Sequence, residues 1–280
     1  MQRSREEAER VALEKHGDLE GYVKRVVVSH YQRVTDWACV NCGNTGTLLE
    51  VRCGVARTKD CMCRLVHRRK LKQRELLDES NIPELYHGVE LAAWTNPGRD
   101  QKEVALNNAS FHVVDEYVKR ITAMVQKGYG LYLTGQNGVG KTLLACAVGN
   151  RAAAAGIRVR YYTMAEIVRL QIDGWFEEES KAIVAGVRDA KILIIDDMDK
   201  VYKTKTGIET SLFDNLLRER LQSKRPCIFT SNRTIVDAQD DFGPHIYSML
   251  KEHCAELVFV GADYRANMSE AIRRDILNGG

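Results

Sequence analysis

A chain of 280 residues is long for one minimal domain and short for three, which favours one full-sized domain plus a smaller module. Its hydrophobic fraction of 44% and aromatic fraction of 7% suit a globular protein with a real core. A net charge of +3 excludes a molecule that is basic all over, so any contact with nucleic acid must come from a local cluster of cations.

The first ten residues hold no apolar stretch of the length a secretory signal needs, and no later run approaches a membrane span. A soluble, cytoplasmic chain without a membrane partner is expected. From Ser4 to about Val34 the residues are charged and helix-friendly, with Val11, Leu13, Leu19, Tyr22, Val23 and Val26 as apolar positions, which predicts one or two short helices. Five of the eight cysteines then crowd into residues 39–63, a turn-rich segment with Gly43, Gly46 and Gly54 and little apolar material. Cys39-Val-Asn-Cys42 and Cys61-Met-Cys63 are two close pairs, the spacing with which two tight turns complete a tetrahedral zinc site. Cys39, Cys42, Cys61 and Cys63 are the expected zinc ligands, with Cys53 and His67 as further candidates. A cluster of free thiols is the plainer alternative, and a redox pair is disfavoured because no βαβ unit follows. Residues 64–80 read as a strongly basic helix ending before Asn81-Ile82-Pro83. The domain boundary is therefore expected there, with an N-terminal module over 1–80 and a second domain over 81–280. The cations from Arg64 to Arg74 suit either a nucleic-acid backbone or a solvated helix face.

Apolar runs and helical patterns then alternate: strand 130–134, helix 140–155, strand 157–162, helices 164–173 and 179–188, strand 191–196, helix 209–222, strand 226–230. Beyond Thr234 the pattern is mostly helical, with a last strand at Leu257–Val260. This alternation predicts parallel strands with crossover helices, an α/β three-layer fold. Cys146, Cys227 and Cys254 fall within these elements and are expected to be buried thiols.

Residues 135–142, Gly-Gln-Asn-Gly-Val-Gly-Lys-Thr, carry the full G-x-x-x-x-G-K-[ST] pattern between a strand and a helix. Its glycines let backbone N–H groups turn inward as an anion cradle at a helix N-terminus. Gly135, Asn137, Gly138, Val139, Gly140, Lys141, Thr142 and Leu143 form the expected nucleotide-binding set, with Lys141 reaching the β- and γ-phosphates and Thr142 offering its hydroxyl to Mg²⁺. Lys191–Asp199 supplies the second half, an apolar strand delivering carboxylates: Asp196 for Mg²⁺ and Asp197 to polarise the attacking water. A third strand ends in Thr230-Ser231-Asn232, a polar terminus able to sense the γ-phosphate or simply to make a turn. ATP with Mg²⁺ is the expected ligand.

The order of these parts, from the C-x-x-C-G-x-T-G…C-x-C ribbon through the basic helix and Ile82-Pro83 to the P-loop, Ile-Ile-Asp-Asp and Thr-Ser-Asn, resembles the DnaC-like helicase loaders, particularly phage and DnaI-type members, which are AAA+ ATPases. The resemblance runs from about Trp37 to Arg265. It implies an ATP-hydrolysing AAA+ core that assembles with copies of itself, binds single-stranded DNA and delivers the replicative hexameric helicase, with the zinc module gripping that helicase. It also implies that Lys141 and Thr142 are the Walker A pair, Asp196 and Asp197 the Walker B acids, Asn232 sensor 1 and Arg265 the sensor 2 arginine. Where these proteins carry an arginine finger, this chain reads Tyr247-Ser248-Met249-Leu250, with Lys251 two positions beyond Met249, which implies slow hydrolysis by the protein alone. Transposase-helper ATPases share the core but usually lack the cysteine ribbon, and an adaptor that binds ATP with little hydrolysis is a third reading.

Overall fold

The computed structural model of the protein describes residues 39, 41–43, 45–52, 55–200, 207–265, 273–274 and 276–277. The helices expected within residues 4–34, and Cys53, lie outside them. The chain forms two compact units, residues 1–72 and 73–280.

In the first unit β1 (Thr47–Arg52) and β2 (Val55–Asp60) form an antiparallel pair, in register from Thr47 opposite Asp60 to Arg52 opposite Val55. Helix α1 (Met62–Asp78) follows and buries none of its residues, in keeping with its many cations.

The second unit is built on a parallel sheet in the order β4-β5-β6-β3-β7. Its strands are β3 (Gly130–Gly135), β4 (Val159–Thr163), β5 (Ile192–Asp196), β6 (Cys227–Ser231) and β7 (Cys254–Phe259). The intervening helices are α4 (Lys141–Ala154), α5 (Met164–Asp173), α6 (Glu178–Asp189), α7 (Ile208–Gln222), α8 (Ile235–Phe242) and α9 (Pro244–His253). Two helices precede the sheet, α2 (Gln101–Lys119) and α3 (Ile121–Lys127). Local sequence fixes several boundaries: Asp100 accepts the amides of Lys102 and Glu103 at the start of α2, and reciprocal capping boxes at Thr163/Glu166 and Thr234/Asp237 start α5 and α8. Such caps contribute about 1 kcal/mol each.

The pleat sorts alternate residues to two cores. Leu131, Leu133, Ile192, Ile194 and Ile228 pack with α2 and α4 on one face. Tyr132, Leu193, Ile195, Cys227 and Phe229 pack with α5, α7, α8 and α9 on the other. Strands β5 and β6 bury all five of their residues, as parallel strands covered on both faces must. This is the three-layer α/β fold that the alternation predicts. Two details differ. The last strand begins at Cys254 rather than 257, because it pairs with β3 from Gly130 onward. Cys146 and Cys227 are buried, whereas Cys254, at the start of an edge strand, is half-buried. Among the described residues no helix is long and apolar enough to cross a membrane.

Candidate nucleotide site and cysteine cluster

The chain passes from β3 to β4 at one edge and returns through β5 and β6 to β3's side, so the loop after β3 lies at a reversal of strand order, where open α/β sheets bind ligands. That loop is residues 135–140. Gly138 and Gly140 have φ of +77° and +90°, conformations that side chains disfavour. Space also demands glycine: a Cβ on Gly138 would collide with Asp263, and one on Gly140 would stand 2.7 Å from Trp94 Cδ1. The loop backbone is thereby free to turn its N–H groups inward at the start of α4.

Lys141 opens α4 and is buried; its ammonium donates to the Gly135 and Gln136 carbonyls, both at 2.8 Å, and to Asn232 Oδ1 at 3.0 Å. Burial lowers its pKa to about 8, although the Asp199, Asp197 and Asp196 carboxylates pull it back up. Asp196, at the end of β5, is also buried and receives three hydroxyls. Thr142 Oγ1 donates to Asp196 Oδ1 at 3.0 Å, Tyr161 to Oδ2 at 2.6 Å, and Thr230 to Oδ1. Burial and the neighbouring Asp196 carboxylate raise the Tyr161 pKa, which keeps the phenol a donor.

Asp197 has φ +52°, and its carboxylate faces Lys200 Nζ at 2.7 Å. Asp199 turns to the other side. Asp199 Oδ1 accepts from the Asn232 amide at 2.9 Å and from Ser231 Oγ at 3.2 Å, and its Oδ2 accepts from Asn232 Nδ2 at 2.9 Å. Burial works against the Asp199 charge, yet these donors hold its pKa below the usual carboxylate value.

The structure therefore bonds Lys141 to Asn232 and Thr142 to Asp196, two pairs that meet at the start of α4. Arg265 is solvent-exposed, but its segment lies beside the loop, since the Tyr264 amide donates to the Gly138 carbonyl at 3.2 Å. That segment is pinned by Asn107, fully buried, which bonds both the carbonyl and the amide of Val260. Asn137 is exposed, Val139 is buried, and Leu143 is half-buried. Met249 is half-buried against the core beneath α8 and α9, and Lys251 lies 3.6 Å from Glu256.

Sequence reasoning missed three residues of this site. Trp94 donates from Nε1 to the Val139 carbonyl at 2.9 Å while stacking on Phe111 with centroids 5.0 Å apart, so it braces the loop from outside. Tyr161 and Asp199 are the others. Asp199 was visible as a third acid in Asp-Asp-Met-Asp, but Trp94 and Tyr161 carry no local signal.

In the first unit the Sγ atoms of Cys39, Cys42, Cys61 and Cys63 all lie within 4.8 Å of one another. Cys39 and Cys61 are 3.9 Å apart, Cys42 and Cys63 3.3 Å. Tetrahedral zinc with bonds near 2.3 Å needs sulfurs roughly 3.8 Å apart, so this donor set fits the metal. Cys42 Sγ also accepts from the Gly46 amide at 3.3 Å, a donor that suits a metal-binding thiolate. His67 lies one turn into α1, outside this cluster of four.

Comparison with known proteins gives the family. Residues 65–269 match the family model for the IstB-like ATP binding protein. The putative ATP-binding protein of insertion sequence IS21 from Pseudomonas aeruginosa is 31% identical over 148 residues, 51% of this chain and 55% of that protein. The replicative helicase loader DnaI of Bacillus subtilis (strain 168) is 27% identical over 124 residues, 44% of this chain and 39% of that protein. The aligned segment thus spans about half or less of each relative. The crystal structure of the DnaC helicase loader superposes with a TM-score of 0.53 at 20% identity, covering 63% of this chain and 99% of that one, a likeness of fold. With an IstB-type sequence over nearly three quarters of its length, the chain belongs to the IstB-like ATP-binding proteins.

Proposed function

We propose that this protein is an ATP-dependent helicase loader: an AAA+ ATPase that assembles with copies of itself, binds single-stranded DNA and hands the replicative hexameric helicase to it. The observation that supports this reading most is the coexistence in one chain of the P-loop set around Lys141 and Asp196 with a four-cysteine cluster suited to zinc. The likeness to DnaI and DnaC points the same way.

In this reading the 135–140 loop and the α4 N-terminus cradle the phosphates, and Lys141 exchanges its loop carbonyls for phosphate oxygens. The Thr142 hydroxyl and the Asp196 carboxylate are hard oxygen donors 3.0 Å apart, which suits Mg²⁺, and these two residues would hold it. Mg²⁺, when bound, neutralises charge on the β- and γ-phosphates. Tyr161 and Thr230 keep the Asp196 carboxylate oriented, while Asp197 orients the attacking water and Arg265 approaches from its loop-side segment. Cys39, Cys42, Cys61 and Cys63 hold zinc, and the module of residues 1–80 grips the helicase while residues 81–280 form the ATPase domain. The protein works in the cytoplasm, where its partners are.

A transposase-helper ATPase is the second reading, favoured by the 31% identity to the IS21 protein. Capture with tagged full-length protein and ATP separates the two. A replicative helicase retained in an ATP- and Lys141-dependent manner is expected; a transposase retained in its place would overturn the loader assignment.

A further inference from the structure

Asn232 stands between Lys141 and Asp199, and its chemistry fixes which way its amide points. Lysine only donates and an ionised carboxylate only accepts, so Oδ1 must face Lys141 Nζ, at 3.0 Å, and Nδ2 must face Asp199 Oδ2, at 2.9 Å. The Asn232 backbone N–H also goes to Asp199, at 2.9 Å. The backbone N–H and one of the two Nδ2–H groups of the residue read as the γ-phosphate sensor are therefore committed to one carboxylate. What it presents toward Lys141 is an acceptor, which a phosphate oxygen cannot use. Lys141 has likewise spent its three donors on Gly135, Gln136 and Asn232. Asp199 itself lies three residues past Asp196 and is half-buried, held on β6 through Ser231 and Asn232.

We propose that Asp199 is a positioning residue that latches Asn232 with these two N–H groups turned from the triphosphate, so that a γ-phosphate gains them only when Asn232 leaves Asp199. This rests on the reading of the site as a P-loop nucleotide site. The latch lowers discrimination between ATP and ADP, because part of the γ-phosphate's binding energy goes into opening it, and it couples Lys141 to β6 through a single side chain.

The test is the ratio of the ADP Kd to the Kd of a non-hydrolysable ATP analogue, both with Mg²⁺, on full-length protein. Asp199→Ala is expected to raise that ratio about tenfold, the size of one charge-assisted hydrogen bond. In an Asn232→Ala background the same change is expected to leave the ratio within about twofold, since the latched side chain is already gone. Asp199→Asn, which keeps an acceptor but not the charge, should raise the ratio less than alanine does, and it carries the test if Asp199→Ala fails to fold by circular dichroism. An unchanged or lower ratio in a folded Asp199 variant overturns the latch. So does a rise that persists without Asn232, which would mean direct repulsion of phosphate. If neither nucleotide's affinity depends on Lys141, the nucleotide-site reading fails instead, and the two failures are thereby told apart.

Discussion

Strand β5 buries all five of its residues, whereas among the described side chains of the cysteine-bearing unit Cys61 is the one buried apolar side chain. Ile192, Leu193, Ile194 and Ile195 each gain roughly 1.5–3 kcal/mol from burial, and they are one strand of five. Among the side chains of β1 and β2 that are described, none is buried. Structural zinc in small cysteine domains is worth an apparent ~10–16 kcal/mol at neutral pH, enough to replace such a core. One region is thus stabilised by packing and uses its loops for chemistry, while the other is expected to be stabilised by the metal itself. A ligand is therefore expected to leave the first without loss of structure, and the second only with it.

The largest effect that would break this contrast concerns Lys141. Lys141→Ala removes a donor to two phosphates, at ~1.5–3 kcal/mol for each charge-assisted bond, and is expected to weaken ATP binding by more than ~100-fold. The core should not notice, since the ammonium bonds loop carbonyls and Asn232 rather than packing partners. Equilibrium binding and thermal melting on the same sample check both halves. Undiminished affinity would remove the P-loop assignment, and a collapsed melting transition would show that the loop is structural.

A smaller effect sharpens the picture of turnover. Met249 packs half-buried against the core and Lys251 lies near Glu256, so among these two positions no guanidinium is offered to a neighbouring copy. Arginine fingers in GTPases supply ~10³–10⁵ in rate through a planar fork that methionine lacks. Slow basal hydrolysis is therefore expected, with Met249→Arg raising it about tenfold or more under assembling conditions. Fast hydrolysis by the unmodified protein that survives Met249→Ala together with Lys251→Ala would move the finger elsewhere.

The parts that could be read in the sequence are those whose cause is local. The glycines at 138 and 140, Lys141 and Thr142 sit within one loop and helix start, and β5 announces itself through the unbroken apolar run Ile192–Ile195. Helices α2 and α3 carry weaker patterns and were not anticipated. Trp94 reaches Val139 across 45 positions, and Asn107 reaches Val260 across 153. Such contacts follow from the sheet order and not from any neighbouring residue. Asp199 lies between these cases: its acidity shows in the sequence, but its bond to Asn232 needs β5 and β6 side by side. The four cysteines were legible as pairs, and the pairing of Cys39 with Cys61 and Cys42 with Cys63 needed the β1–β2 register.

The contrast between the two regions is tested most directly by measuring metal content and ATP affinity on one full-length preparation before and after a strong zinc chelator. The account predicts about one zinc per chain, whose removal makes residues 39–63 lose their amide-exchange protection while ATP affinity and the main melting transition stay in place. Freshly purified protein without zinc, or a cysteine unit whose protection survives chelation, would contradict it.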